Sequence, residues 1–226
     1  MRFSPPSHKV ALVHDYLFEQ GGAENVFAVM AGMFPDAPIY TAIYNPDTVA
    51  PIFREREVHT SVLQRVTTHK RTAKALLPLY PAAFARMKVR GYDLVLSSSS
   101  SFAKGIDVGD ARHVCYCHTP PRFLWQTDRY IEQVRGRTRR GAIHLATGPL
   151  RTRDRRDADN VDAFIANSHV TQERIRRIYG RDAAVVNPPI DVKEFHGGAV
   201  IEEYYLVVSR LLPYKPGSVK SRCRGG

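Results

Sequence analysis

The stretch VALVHDYLFEQGGAENVFAVMAGMF, Val10 to Phe34, sets the architecture of the chain. It opens with an apolar run from Val10 to His14, of the kind found in strands that are buried on both faces. A Gly-Gly turn follows, and Ala23 to Phe34 then repeats apolar residues at helical spacing. A buried strand that turns into an amphipathic helix predicts the first unit of a parallel α/β sheet.

The same alternation continues along the chain. Thr171 to Tyr179 supplies a second segment of helical period. Short apolar or β-branched runs, bounded by turn residues, predict strands at Val10–His14, Ile39–Tyr44, Asp93–Ser97, His113–His118, Asp162–Ala166, Ala184–Asn187 and Tyr205–Ser209. We therefore expect an α/β fold in which right-handed crossovers connect parallel strands.

Length and charge narrow the possible functions. The chain has 226 residues, 43% of them hydrophobic, which is enough for one large domain or two small ones. A net charge of +11 suggests an anionic partner: nucleic acid, a phosphorylated substrate or an acidic membrane surface. Three cysteines give no disulfide framework, and no apolar stretch approaches the roughly 20 residues that span a bilayer. The start lacks the apolar core of a signal peptide, so we expect a cytoplasmic protein.

The chain changes character after residue 187, the expected end of the first domain, 1–187. Residues 188–203 contain two prolines and two glycines and predict a linker. Residues 204–215 predict the first strand and loop of a second domain. The tail 216–226, PGSVKSRCRGG, has no apolar period and is predicted to be disordered. We therefore expect the second domain to be essentially missing.

Three groups of residues are candidates for ligand binding. Gly21 and Gly22 join the first strand to its helix, where backbone N–H groups can hold an anion or where the pair only makes a tight turn. His118 ends a predicted strand and either contacts a ligand or bonds a neighbouring carbonyl. Arg210 and Lys215 either clamp a diphosphate or remain solvated surface charges.

Two further patterns have alternative interpretations. The segment Val62 to Arg90 carries seven Lys or Arg and no Asp or Glu, which fits a membrane-surface segment or a helix packed by its apolar face. Two prolines favour packing. His113, Cys115 and Cys117 share a strand face, but three residues of one strand cannot wrap a tetrahedral ion, so we expect core cysteines and no metal site. The D-x-D pattern of residues 157–159 is expected to be a solvated helix end.

Five stretches, in their order and spacing, resemble a family 4 glycosyltransferase of the mannosyltransferase-like branch. They are HDYLFEQGGAEN, YDLVLSSSS, CHTPPRFLW, DAFIANSHVTQERIRRIYGRDAAVVNPPIDVKEF and YLVVSRLLPYK. The resemblance runs from about Lys9 to Lys215. It implies a Rossmann-like parallel sheet flanked by helices, the N-terminal half of a GT-B architecture in which the first domain binds the acceptor and the second the nucleotide sugar.

The resemblance also implies roles for the candidate residues. Gly21 and Gly22 would approach the donor diphosphate, and His118 would be the catalytic residue that contacts the transferred sugar. Arg210 and Lys215 would bind the diphosphate. The implied reaction moves a sugar, with mannose from GDP-mannose as the first candidate, to a polysaccharide or lipid-linked acceptor, with retention and without a metal or other cofactor. Without the donor-binding domain, we expect the fragment to be inactive alone.

The alternative function is a non-catalytic binding module for an anionic partner. The charge of +11 supports it, with an anionic membrane surface as one partner, which would place the protein at the inner face of the membrane. Nucleic acid is the weaker choice, because no RNA-binding fingerprint or recognition-helix motif is present and the basic residues are spread over several elements.

Overall fold

Seven parallel strands form one sheet in the computed structural model, which describes residues 8–126, 137–190 and 192. The strands are β1 Val10–His14, β2 Ile39–Thr41, β3 Val58–Thr60, β4 Leu94–Ser99, β5 Arg112–Cys117, β6 Ala163–Ala166 and β7 Ala183–Val185. Their spatial order is β3-β2-β1-β4-β5-β6-β7. The predicted Rossmann-like α/β sheet is therefore confirmed.

Helices connect the strands and cover the sheet. They are α1 Gly22–Met33, α2 Lys70–Ala75, α3 Tyr80–Arg86, α4 Arg122–Trp125, α5 Arg137–Asp159 and α6 His169–Tyr179, with 3-10 turns at Pro51–Phe53, Val62–Arg65, Leu77–Leu79 and Ala103–Gly105. The ends of α6 follow the usual capping rules. The Ser168 hydroxyl accepts a hydrogen bond from the Thr171 N–H, and Gly180 ends the helix at a φ of 66°.

The structure modifies several of the predicted strands. β4 is Leu94–Ser99 where Asp93–Ser97 was predicted, and β7 is Ala183–Val185 where Ala184–Asn187 was predicted. β5 ends at Cys117, so His118 follows the strand. The predicted strand from Ile39 to Tyr44 divides into β2 and an isolated bridge between Leu17 and Tyr44. β3 was not predicted, because three residues at a sheet edge carry too little pattern. The predicted strand at residues 205–209, the tail and all of the linker except residues 188–190 and 192 lie outside the described residues.

The core lies on both faces of the sheet. Successive residues of a strand point to opposite faces, and Leu12 packs in a cluster with Phe27 of α1. Its neighbour Val13 packs in a second cluster with Phe84 of α3 and Phe102. This two-sided burial explains why β1 is continuously apolar in the sequence.

The basic segment Val62 to Arg90 packs largely against the core. Its apolar residues Leu63, Tyr80 and Phe84 are buried, and Leu76, Leu77 and Met87 pack against the same cluster. Val66 and Leu79 are exposed. The apolar period of this segment is therefore mainly a core-packing signal, and its binding to a membrane surface stays a prediction. No helix within the described part of the chain is both long and apolar enough to cross a bilayer.

A buried ion pair connects four elements beneath the sheet. Lys104, in the turn after β4, places its Nζ 2.5 Å from Oδ1 of Asp154 in α5, and both side chains are at most 2% exposed. The other carboxylate oxygen accepts hydrogen bonds from Trp125 Nε1 at 2.7 Å and the Tyr179 hydroxyl at 2.8 Å. Burial lowers the pKa of Lys104, but interactions with its neighbours, those with Asp154 first, raise it above its ordinary value, so the ammonium is charged.

The end of α5 differs from its prediction. Asp157 is 1% exposed and accepts a 2.6 Å hydrogen bond from Arg153 Nε, so only Asp159 of the D-x-D pattern is solvated. Gly105 faces this carboxylate at a distance that leaves no room for a Cβ atom. The solvated helix end predicted for Asp157 is therefore wrong, because the residue packs against the turn that carries Lys104.

Replacing Lys104 by Met is expected to lower the free energy of unfolding by about 3–5 kcal/mol, because it leaves a buried carboxylate without its counter-charge. Urea denaturation followed by circular dichroism measures the change. Lys88→Met removes the same charge from an exposed position and should change stability by less than about 0.5 kcal/mol. Equal losses for the two variants would contradict the structural role of the pair.

A buried histidine lies within the sheet as well. His113 on β5 is fully buried beside Cys115 and Cys117, which pack in the core as predicted. Its Nε2 is 2.8 Å from the Ser97 hydroxyl, and burial lowers its pKa to about 4. The folded chain therefore holds this imidazole neutral at pH 7.

The shift of His113 predicts that acid destabilises the fold. Because its pKa is lower in the folded state than the ordinary 6.5, the unfolded chain takes up a proton first, and stability falls as pH drops from 6.5 towards 4. The loss should reach about 3 kcal/mol, at 1.36 kcal/mol per pKa unit. Denaturation at pH 7, 5.5 and 4 should show a smaller acid loss for His113→Gln than for wild type. Parallel pH profiles would contradict this role.

Candidate functional site

A cleft opens where the chain order of the sheet reverses. β1 and β4 are neighbours, and the chain runs outward from them in opposite directions, the arrangement that places ligands beyond the carboxyl ends of parallel strands. The cleft has a volume of about 590 Å³. Its lining comes from the loops after β1, β4, β5, β6 and β7, and includes Gly22, Glu24, Ser100, His118, Ser168 and Pro188. The structure therefore gathers residues from five parts of the sequence at one edge.

Asp15 is a buried residue at this edge of the sheet. It follows β1, is 1% exposed, and accepts hydrogen bonds from the backbone N–H groups of Ser100, Phe102 and Ala103 at 2.6, 2.8 and 2.8 Å. The hydroxyl of Ser100 adds a bond at 3.1 Å. These bonds bind the loop after β4 to the end of β1. The sequence alone predicts no role for Asp15. Asp15 nevertheless lies within the quoted stretch HDYLFEQGGAEN, and the serine run that supplies its partner Ser100 lies within the quoted stretch YDLVLSSSS.

The predicted glycine pair begins helix α1 at the cleft. Gly21 is the N-cap, Gly22 is the first helical residue, and no side chain caps this helix end. A Cβ atom on Gly22 would meet nothing within 4 Å, so its backbone is open to the cleft. Uncapped N–H groups at a helix start favour an anion. The glycine pair therefore lines the cleft at an uncapped helix start, and its binding of a diphosphate stays a prediction.

A second ionisable pair, absent from the sequence predictions, lies behind the glycines. Glu24 lines the cleft but is 7% exposed, and its Oε1 is 3.7 Å from Nε2 of His14, which is also buried. Burial raises the pKa of Glu24, but hydrogen bonds and charge interactions, those with His14 first, lower it below its ordinary value, so the carboxylate is ionised at neutral pH. The His14 ring stacks on Phe27 with centroids 4.6 Å apart. This side of the cleft therefore holds an ionised carboxylate beside an imidazole.

His118 lies in the middle of the cleft edge. Its N–H donates to the Ser99 carbonyl at 2.9 Å, and its carbonyl accepts from the Thr171 hydroxyl at 3.1 Å. The ring Nε2 is 2.8 Å from the Ser98 hydroxyl. The sequence leaves a bond to a neighbouring carbonyl as the alternative to ligand contact, and the partner of Nε2 is this hydroxyl instead. Burial first, and then His14, lowers its pKa to about 4. His118 is thus a neutral imidazole that exchanges hydrogen bonds without carrying charge.

The basic residues that line the cleft in the structure are not the ones that the sequence predicted. Arg210 and Lys215 lie outside the described residues, so their binding to a diphosphate stays a prediction. Arg122 of α4 and Arg174 of α6 line the cleft, and neither is among the sequence predictions. Within residues 8–126, 137–190 and 192, no group of three or more His, Cys, Asp or Glu is placed to hold a metal ion.

The pKa of His118 predicts a titration midpoint near pH 4 in the folded protein. Its ring C–H signals, followed by NMR between pH 8 and pH 3.5, should keep their neutral chemical shifts through pH 6, because burial disfavours the imidazolium. His118→Ala assigns the signals. A midpoint near 6.5 would show a solvated ring and contradict the site geometry.

One family model matches most of the chain. Residues 20–194 match the family model described as Glycosyltransferase Family 4. The matched span contains Gly21, His118 and the other cleft residues up to Pro188, except those that precede residue 20. A search of curated proteins found no significant match. Because the family model covers well over half of the chain, the chain belongs to glycosyltransferase family 4.

Proposed function

We propose that the chain forms the acceptor-side half of an enzyme that moves a sugar from a nucleotide-sugar donor to a polysaccharide or lipid-linked acceptor. Family membership supports glycosyl transfer in general. The observation that carries the proposal is the convergence of Gly22, Ser100 and His118 on one cleft at the reversal point of the sheet. Mannose from GDP-mannose is the first candidate donor sugar, on the strength of the sequence resemblance.

The first step of the proposal concerns the donor diphosphate. The open backbone of Gly21 and Gly22 would accept one phosphate at the start of α1. Arg210 and Lys215 would supply the balancing positive charge, Arg by its planar fork and Lys as a point charge. Two cations and a helix start can neutralise a departing diphosphate, so the proposed reaction needs no metal.

The second step concerns the transferred sugar. The bond between the anomeric carbon and the diphosphate oxygen breaks, and the acceptor hydroxyl oxygen bonds the same carbon on the same face. Its proton passes to the released diphosphate. A neutral His118 would hydrogen-bond a hydroxyl of the transferred sugar. Because the imidazole is uncharged, it would not repel the positive charge that develops on the sugar ring. The ionised Glu24 would stabilise that positive charge from the α1 side of the cleft.

We expect the 226-residue chain alone to bind GDP-mannose weakly, with a Kd of about 1 mM or higher. In the proposed acceptor-side half the protein contacts the phosphates of the donor and not its nucleoside, so most of the binding energy is lost. GDP and UDP should bind equally. In ¹⁵N NMR titrations, Gly22→Ala should weaken GDP-mannose binding at least about tenfold, since the methyl group would fill the phosphate approach. Release of GDP from GDP-mannose should not occur in the presence of a bacterial membrane extract.

Gly148→Ala is the matched control. It adds a methyl group that also meets nothing within 4 Å, but on helix α5, outside the cleft lining. Unchanged binding in both alanine variants would remove the phosphate role of Gly22. Micromolar, base-selective donor binding would overturn the acceptor-side assignment. Tight, salt-sensitive binding to anionic vesicles together with no binding of GDP-mannose would favour a non-catalytic binding module.

A further inference from the structure

The cleft is electrically asymmetric about His118. On the β1 side lie Glu24, which is ionised, and Glu19. On the β6 side lies Arg174 of α6, and Arg122 of α4 follows His118 in the chain after β5. Because β5, which leads into His118, lies between these two sides of the sheet, the histidine separates an acidic half of the cleft from a basic half.

We propose that the basic half is a subsite for an anionic group of the acceptor, a carboxylate or a phosphate carried by a saccharide. The inference rests on the proposed function, because it names the chemical class of the acceptor for the same cleft. Arg122, Thr119 and Arg174 form the subsite, and their donors match the oxygens of either anion.

Arg174 is held in position by the residues that carry His118. Its Nη1 donates to the Thr119 hydroxyl at 3.2 Å, and the side chain is half-buried. One turn earlier on the same helix, the Thr171 hydroxyl bonds the His118 carbonyl at 3.1 Å. Two hydrogen bonds therefore connect α6 to the residue pair after β5. A guanidinium placed in this way needs little reordering when an anion binds.

Arg122 completes the subsite from a second helix, α4. It is the first residue of α4 and is exposed, and its side chain makes no hydrogen bond or ion pair with another residue in the described part of the chain. Its charge is available to a ligand in the cleft. Arginines from two elements around a concave surface concentrate positive potential more than scattered surface charges do.

The position of the arginines favours the acceptor over the donor as the source of the anion. The proposed diphosphate position lies at Gly21 and Gly22, beside β1 and Glu24. Arg174, which follows β6, lies across His118 from it, and Arg122 follows His118 itself on α4. A saccharide whose reacting hydroxyl lies near His118 therefore presents its other substituents to Arg174. The cleft volume of about 590 Å³ is within the range of about 300–1,000 Å³ that small-molecule sites occupy.

The test compares two sugars that differ in one group. Methyl glucuronide carries a carboxylate where methyl glucoside carries a hydroxymethyl, and glucose 6-phosphate supplies the phosphate form. Titrations of the 226-residue chain, followed by the Thr119 amide and arginine Nε signals in ¹⁵N NMR, should give a Kd about tenfold lower for both anionic sugars than for the glucoside. Arg174→Gln and Arg122→Gln should each remove most of this preference.

Arg176→Gln is the matched control, since it removes an exposed charge from the same helix without touching the cleft lining. It should keep the preference, which separates the subsite from general attraction by a chain of charge +11. Equal binding of glucoside and glucuronide would overturn the subsite while the proposed function stands. Weaker binding of inorganic pyrophosphate in Arg174→Gln, with glucuronide unaffected, would assign the arginines to the donor and overturn the proposal. Binding of none of the sugars would overturn the subsite, whereas the proposed function is tested separately by GDP-mannose binding.

Discussion

The carboxylate of Asp15 is the contact on which the cleft depends. A buried anion is stable only when its lone pairs are satisfied, and Asp15 obtains three backbone N–H donors from the loop after β4. The two central strands of the sheet are therefore tied at their carboxyl ends. The same loop continues into the turn that carries Lys104, so the pair with Asp154 extends the connection to α5. The position of Ser100 at the cleft edge is a consequence of this chain of contacts.

The parts of the fold that the sequence predicts are those with a local signal. Apolar or β-branched runs identified β1, β2, β4, β5, β6 and β7, and helical period identified α1 and α6. The amphipathic helix period does not reveal α5, because its sequence is rich in arginine and contains Pro149. Charged residues are usually solvated, so sequence alone does not place Lys104 and Asp154 in the interior. Their burial depends on each other, and they lie far apart in the chain.

The residues of the candidate site also fall into two groups: those that local sequence predicts and those whose role depends on distant partners. Gly21, Gly22 and His118 stand next to turns at predicted strand ends, a position that local sequence reveals, and the structure brings all three to one cleft. Asp15 and Glu24 lie within quoted motifs, yet their importance arises from partners on other strands. Arg174 acquires its position through a hydrogen bond to Thr119, 55 residues away in the sequence. Contacts of this range are set by the assembled sheet and are invisible to a local pattern.

The three hydrogen-bond donors to Asp154 restrict the motion of α4 and α6, the two helices that carry Arg122 and Arg174. Trp125 lies in the same short helix as Arg122, and Tyr179 lies in the same helix as Arg174, so one buried carboxylate holds both arginine-bearing helices. Neither helix can move away without exposing or abandoning that charge. They should behave as one cooperative unfolding unit, with similar opening free energies in hydrogen exchange. The positions of the two helices relative to each other are then preserved on the timescale of ligand binding, so both arginines start from a fixed backbone.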